Sequence, residues 1–391
     1  MYMKKILVII PAFNHGGTNR SLLNFLNTID RTRYSIQILT MYFSGPYKEK
    51  FAHFDLLPED FSLSPVFSFG NPFRDLGVLK GIRRLIWKII FKTVFRKKEK
   101  KLFRFASRKY SKQGYDVVIG FQEGKASCFA SEIKTEKRIA WVHCDYSNYL
   151  KITNAIDERE IYERFQHIVC VSEYTASVFR GIYPILTHRT VALHNLIDAD
   201  GIIKASNDRV DFAHDCFTLI SVGRMDPVKR FACIPKTAQL MKNNGCIFKW
   251  YIIGSGGEEY ENIRKNIVSY GIDNEVILLG AKNNPYPYIS ASNLLVCPSY
   301  SEACPNVVNE AKVLHIPVVA ANFPTAKEYI DNEINGFIVP IDEMADILIR
   351  LCKDRQLYAR VKAKIEGFIY DNDKIIRQIE ALLDGEIVCE N

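Results

Sequence analysis

Two carboxylates, Glu302 and Glu310, stand eight residues apart in the run Ser299-Tyr300-Ser301-Glu302-Ala303-Cys304-Pro305-Asn306-Val307-Val308-Asn309-Glu310-Ala311. The apolar stretch 293–297 ahead of them reads as a buried strand. Pro305 suits the first residue of the helix that follows, because its missing N–H would go unsatisfied there in any case. Backbone N–H groups around Asn306 and Val307 would then point out of a helix N-terminus, where partial positive charge gathers and a diphosphate can be held. Glu310 lies about 7.5 Å further along the axis, within reach of a sugar attached to that diphosphate, and Glu302 is on the loop before it. A solvated helix face is the plainer alternative for Glu310.

Two cations five residues apart, Arg224 and Lys229, follow the apolar run 217–222 and the turn glycine Gly223. Arginine offers a bidentate fork and lysine a point charge, so together they can take opposite sides of a diphosphate; an exposed basic loop is the alternative. Gly254 and Gly280 end the strand-like runs 249–253 and 276–280, where loops at the carboxyl edge of a parallel sheet frame a nucleotide. His143 ends the run 138–143, also at a strand's carboxyl end; a satisfied core or loop histidine is its alternative. Gly16 and Gly17 follow the strand-like run 5–11 and precede a helical pattern with Leu22, Leu23, Phe25 and Leu26. That makes a half-Rossmann unit. The spacing does not fit Gly-x-Gly-x-x-Gly, and no acid follows the second strand, 36–40, where a dinucleotide ribose would need one, which argues against a dehydrogenase.

The elements that position these groups need room. A chain of 391 residues exceeds one core of usual size and predicts two domains. Its 48% hydrophobic and 25% charged residues fit a soluble globular class. No run of eighteen uncharged apolar residues suggests a membrane span. The N-terminus enters a strand without a cleavable small-residue site, which predicts a cytosolic protein. Ten cysteines are scattered singly, without Cys-x-x-Cys, as expected of a reducing compartment.

Charge is unevenly distributed. Between Lys80 and Lys112 there are fourteen Lys or Arg against one acid, Glu99, a local net of +13; the whole chain carries +8, so the remainder sums to −5. Basic residues recur at every fourth position, among them Arg84, Lys88, Lys92 and Arg96, while Ile82, Leu85, Ile86, Ile89, Ile90 and Val94 keep core spacing. The segment reads as an amphipathic helix on an anionic membrane or as a cradle for a lipid pyrophosphate, with a solvated basic helix as the alternative. No motif for nucleic acid accompanies the charge.

The Glu-x7-Glu spacing, the Gly-Arg…Lys loop 223–229 and the Trp-Val-His-Cys-Asp run 141–145 resemble the retaining glycosyltransferases of the group 1 family with the GT-B fold, which includes sucrose, lipopolysaccharide and capsule transferases. The resemblance covers nearly the whole chain, most strongly 218–340 and only thinly before 116. It implies an α/β architecture of two Rossmann-like domains facing each other across a cleft. These would be an acceptor domain at 1–200, a linker at 201–216, a donor domain at 217–368, and a C-terminal helix within 369–391 that crosses back to the first domain. It further implies that His143 and Glu302 contact the donor sugar, that Glu310 binds the ribose, that Arg224 and Lys229 meet the leaving diphosphate, and that Gly16 and Gly17 lie between donor and acceptor.

Three positions depart from the family. Asn19 stands where an acid usually follows the glycines, Arg230 where glycine often follows the lysine, and Ala303-Cys304 where a glycine-aromatic pair is common. If the last loop needs positive φ, alanine there is strained.

The activity so implied is transfer of a hexose or N-acetylhexosamine from a nucleotide sugar, expected to be a UDP-sugar, to a cell-envelope, capsule or lipid-linked glycan. It would retain anomeric configuration and need no metal or other cofactor, and the protein would sit on the inner face of the cell membrane. Asp198-Ala199-Asp200 resembles the Asp-x-Asp of metal-dependent GT-A transferases, but it opens a polar stretch and reads as linker. Two other functions fit the same residues: a nucleotide-sugar epimerase on this fold, and a non-catalytic protein that binds sugar nucleotide or membrane.

Overall fold

A parallel sheet covered by helices on both faces needs short strands made almost wholly of Val, Ile and Leu, and the chain supplies two sets. The computed structural model describes residues 2–14, 16–41, 47–58, 60, 62–63, 78–95, 98–154, 157–210, 212 and 216–385. Its first sheet comprises β1 (Lys4–Ile10), β2 (Tyr34–Thr40), β3 (Asp55–Leu56), β4 (Val117–Gly120), β5 (Lys137–Val142), β6 (His167–Cys170) and β7 (Thr190–Ala192), all parallel, in the order β3-β2-β1-β4-β5-β6-β7. The second comprises β8 (Phe217–Val222), β9 (Phe248–Ile253), β10 (Val276–Gly280), β11 (Leu294–Cys297), β12 (Val318–Ala321) and β13 (Gly336–Val339), also parallel, in the order β10-β9-β8-β11-β12-β13. In each sheet the order reverses once, between β1 and β4 and between β8 and β11. Ligands of open α/β sheets bind outside the carboxyl ends of the strands at such a reversal.

Alternation along the strands fills a core on each face of the second sheet. Leu219, Trp250, Ile252, Leu294 and Val296 enter one, and their neighbours Ile220, Tyr251, Ile253, Leu295 and Cys297 enter the other. Each aliphatic side chain fully buried in this way contributes about 1.5–3 kcal/mol.

The chain divides into two compact units, Met1–Leu196 with Asp373–Asn391, and Ile197–Asn372. The stretch read as a linker at 201–216 starts inside the helix Ala199–Ala205, which belongs to the second unit. Asp198 caps that helix, its Oδ1 accepting the Gly201 N–H at 3.0 Å. The first acid of the Asp-x-Asp pattern therefore has a structural use. The C-terminal helix, Asn372–Asp384, returns to the first unit, where Ile375, Ile379, Leu382 and Leu383 are buried. Two cations hold it there: Lys4 Nζ lies 2.6 Å from Asp384, and Arg33 reaches Glu380 at 2.5 Å and Asp384 at 2.7 Å.

Among the described residues of the basic segment there are two helices, Val78–Thr93 and Glu99–Ser111. The expected core spacing on the first is reversed. Phe91 and Phe95 are buried with Leu102, whereas Ile82, Leu85, Ile86, Ile89 and Val94 are exposed. Phenylalanine fills the space between two crossing helices better than the smaller aliphatics, so the aromatics turn inward.

Candidate active site

Two loops leave the second sheet at its reversal point, one after β8 and one after β11. The Tyr300 N–H donates to the Val228 carbonyl at 2.7 Å, which ties the loops together. Across them Lys229 Nζ donates to both oxygens of Glu302, at 2.6 and 2.8 Å, and Ser299 Oγ donates to Oε1 at 2.7 Å. Glu302 is thus held at its side chain, and its backbone carbonyl accepts from Thr325 Oγ1 at 2.8 Å. Burial acts to lower the Lys229 pKa, but the Glu302 carboxylate overcomes it and holds the ammonium above its ordinary value. The neighbouring Cys297 thiol is pushed up to about 11, by burial first and then by Glu302. Arg224 projects into solvent with its side chain 70% exposed, 3.1 Å from Asp226. One cation of the pair is therefore enclosed against a carboxylate and the other is exposed.

The two substituted positions in these loops have different outcomes. Arg230 adopts φ +53, the left-handed region that favours glycine. Its guanidinium lies over the Tyr300 ring at 4.6 Å, which offsets part of the strain. Ala303 and Cys304 are absent from the left-handed residues, so the strain anticipated at Ala303 does not arise.

The helix after β11 spans Asn306–Val313 with Pro305 at the cap, so it starts one residue later than the sequence suggested. The Asn306 N–H is not directed outward, because it donates to the Cys304 carbonyl at 2.9 Å. Among the described residues the Val307 N–H has no partner, so it is the amide left to meet an anion at this helix start. Glu310 is fully buried on this helix, which removes the solvated-face alternative. Beside it Asn309 is 1% exposed, and neither side-chain polar atom has a partner among the described residues.

Gly254 and Gly280 shape the neighbouring loops. A Cβ on Gly254 would come 2.0 Å from the Gly223 carbonyl oxygen, so only glycine lets these two loops approach. Gly280 has φ +68, at a register shift where β10 pairs with β9, and its carbonyl accepts from the Gly254 N–H at 3.0 Å.

In the first unit, Gly16 caps the helix Gly17–Thr28, with extended backbone and open space where a side chain would be. Asn19 Nδ2 donates to the carbonyls of Ala12 at 3.1 Å and Asn14 at 2.8 Å, two bonds that a carboxylate could not make. His143 lies just after β5. Burial pulls its pKa down to about 3, and Nε2 has no partner among the described residues. Its backbone N–H donates to Glu123 Oε2 at 2.9 Å, which joins the loop after β5 to the loop after β4, beside the reversal of the first sheet. Burial raises the Glu123 pKa. Sequence reasoning passed over Glu123, although an acid two residues after the apolar run 116–121 was the available signal.

The basic stripe is not a single surface. Arg84 is buried, Lys88 and Lys92 are exposed, and Arg96 falls outside the described residues.

Residues 204–367 match the family model of glycosyl transferases group 1. Over 396 residues the chain is 30% identical to an uncharacterized glycosyltransferase of Haemophilus influenzae, covering 97% of this chain and 100% of that protein. It is 28% identical over 199 residues to the N-acetylgalactosamine-N,N'-diacetylbacillosaminyl-diphospho-undecaprenol 4-alpha-N-acetylgalactosaminyltransferase of Campylobacter jejuni, covering 49% of this chain and 53% of that one. Among solved structures, Anabaena Alr3699/HepE in complex with UDP and glucose shares the fold, with a TM-score of 0.69 and 18% identity, covering 98% of this chain and 100% of that one.

Proposed function

The chain belongs to the group 1 glycosyltransferases and has their GT-B fold, and from that membership we propose that it moves a hexose or N-acetylhexosamine from a UDP-sugar to a lipid-linked cell-envelope glycan, with retention and without a metal ion. The observation that carries the reading is the Lys229–Glu302 pair at the reversal point of the second sheet. UDP is favoured because the Anabaena protein holds it, and a lipid-linked acceptor because the Campylobacter enzyme is named for one.

Breaking the bond between the anomeric carbon and the diphosphate leaves an electron pair on the departing phosphate oxygen. Lys229 and the Val307 N–H supply positive charge there without reorganising, and Arg224 adds its own from the solvent side. Two of the three ammonium protons of Lys229 face Glu302, and the third serves the phosphate. The acceptor hydroxyl attacks the anomeric carbon from the face the diphosphate leaves, and its proton passes to the departing phosphate oxygen. Glu302 takes hydroxyls of the donor sugar and Glu310 those of the ribose.

The test is turnover of a panel of UDP-sugars with a synthetic lipid-diphosphate glycan, following UDP release and the anomeric configuration of the product by NMR. An α-linked product from an α-donor is expected. Epimerised or free sugar released without acceptor, or a β-linked product, overturns the proposal.

A further inference from the structure

Three cations stand on the loop after β8, and two of them face acids. Arg224 lies 3.1 Å from Asp226 and Lys229 lies 2.6 Å from Glu302. Arg230 makes no ion pair among the described residues; its guanidinium rests on the Tyr300 ring, 4.6 Å from the centroid. Tyr300 is 60% exposed, on the loop after β11, two residues before Glu302. The uncompensated charge therefore sits where the two loops meet, at the reversal of the second sheet.

The fold alone does not account for arginine at this position. Among the described residues, four other than glycine have positive φ. Asn154 and His315 follow helices, where a left-handed residue closes the last turn, and Glu333 is in the turn before β13. Arg230 instead stands at the carboxyl edge of a sheet, and its contact with Tyr300 offsets only part of the strain. Glycine would hold the same backbone without that cost. Strained residues that their surroundings hold in place cluster at ligand clamps and active sites.

A guanidinium with an aromatic ring behind one face keeps its N–H edge for a ligand in its own plane. Two of those N–H groups match two oxygens of a carboxylate or a phosphate. Which anion is left for it follows from the proposed reaction, on which this inference rests. Lys229, Arg224 and the Val307 N–H serve the donor diphosphate, and a hexose or N-acetylhexosamine carries no charge. We propose that Arg230, backed by Tyr300, binds an oxyanion of the acceptor and so selects a glycan that bears a carboxylate or a phosphate close to the hydroxyl being glycosylated. Arg230 is then a specificity residue with no part in breaking the donor bond.

The test is calorimetric titration of the full chain, with and without saturating UDP, using three probes. Methyl β-glucuronide carries a carboxylate, glucosyl phosphate carries a phosphate on its anomeric oxygen, and methyl β-glucoside is neutral. At least one charged probe is expected to bind about tenfold or more tightly than the neutral one, and less so at high salt. The probe so favoured names the source, an acidic sugar of the glycan or the phosphate that joins sugar to lipid. Arg230→Gly, which keeps the left-handed backbone without strain, and Arg230→Gln should both lose the preference, with thermal unfolding as the check that they are folded. Equal binding of all three probes by the parent, binding of none, or an unchanged preference in the folded variants overturns the proposal. So does a loss of UDP affinity in Arg230→Gly as large as the loss for the charged probe, which would assign Arg230 to the donor diphosphate. A parent chain that fails to bind UDP contradicts the donor site instead, and the comparison among probes without UDP still decides the role of Arg230.

Discussion

Lys229 and Glu302, seventy-three residues apart in sequence, make an ion pair with two hydrogen bonds, at 2.6 and 2.8 Å, that joins the two loops at the reversal of the second sheet. Losing the ammonium would leave a carboxylate that is only 10% exposed without its charge partner. Lys229→Ala should therefore cost about 2 kcal/mol or more in stability and about 10²–10³-fold in kcat. Chemical denaturation and steady-state kinetics read the two effects separately, and unchanged turnover would remove Lys229 from the leaving-group role.

Arg230 sets strain against stacking. Arg230→Ala keeps the left-handed backbone and loses the contact over Tyr300, and should destabilise by about 0.5–1 kcal/mol. Arg230→Gly loses the same contact but relieves about 1 kcal/mol of strain, so its melting temperature should stay near that of the parent. Equal destabilisation by both substitutions would show that the strain has no energetic weight.

Two nearby glycines should respond in opposite ways. Gly254→Ala forces a Cβ to 2.0 Å from the Gly223 carbonyl, whereas at Gly257 the same methyl meets nothing within 4 Å. The first should lose about 1–3 kcal/mol or more, and the second, at the start of the helix Gly257–Ser269, should be neutral or gain up to about 1 kcal/mol. Thermal unfolding of the pair decides, and a tolerant Gly254→Ala would mean the loops can move apart.

His143 and Glu123 should impose opposite pH dependences. With the folded His143 pKa near about 3, the unfolded chain takes up a proton that the folded chain refuses as pH falls below about 6.5. Stability from this group is therefore lost on acidification toward pH 3. Burial raises Glu123, so its contribution falls as pH rises past its ordinary value and through the folded one. Urea unfolding from pH 7 to pH 5 should show a steeper acid loss in the parent than in His143→Gln; parallel curves would contradict a buried neutral imidazole.

The strands were legible because β1, β5, β8, β9 and β11 are short and mostly apolar, and an all-parallel sheet leaves that pattern with little else to explain it. The two-residue β3 gave no such pattern. The cation pair and the two acids were legible from spacing, but what holds them was not. Ser299 and Thr325 are anchors that only three-dimensional proximity brings to Glu302. Asn306 read as a source of free N–H groups because a helix start normally is one; a local bond to Cys304 has taken its amide. The basic segment misled for a different reason. A repeat of cations every fourth residue suggests a face of their own, yet the large aromatics Phe91 and Phe95 decide which side turns inward.

The most direct measurement is calorimetric titration of the full chain with UDP, GDP and ADP, repeated on Glu310→Ala. Tight binding of UDP and at least about tenfold weaker binding by the variant are expected, since loss of a carboxylate that bonds ribose hydroxyls costs about 1.5–3 kcal/mol. Absence of binding to all three nucleotides by folded protein, or equal UDP affinity in Glu310→Ala, would contradict a donor site built on this helix.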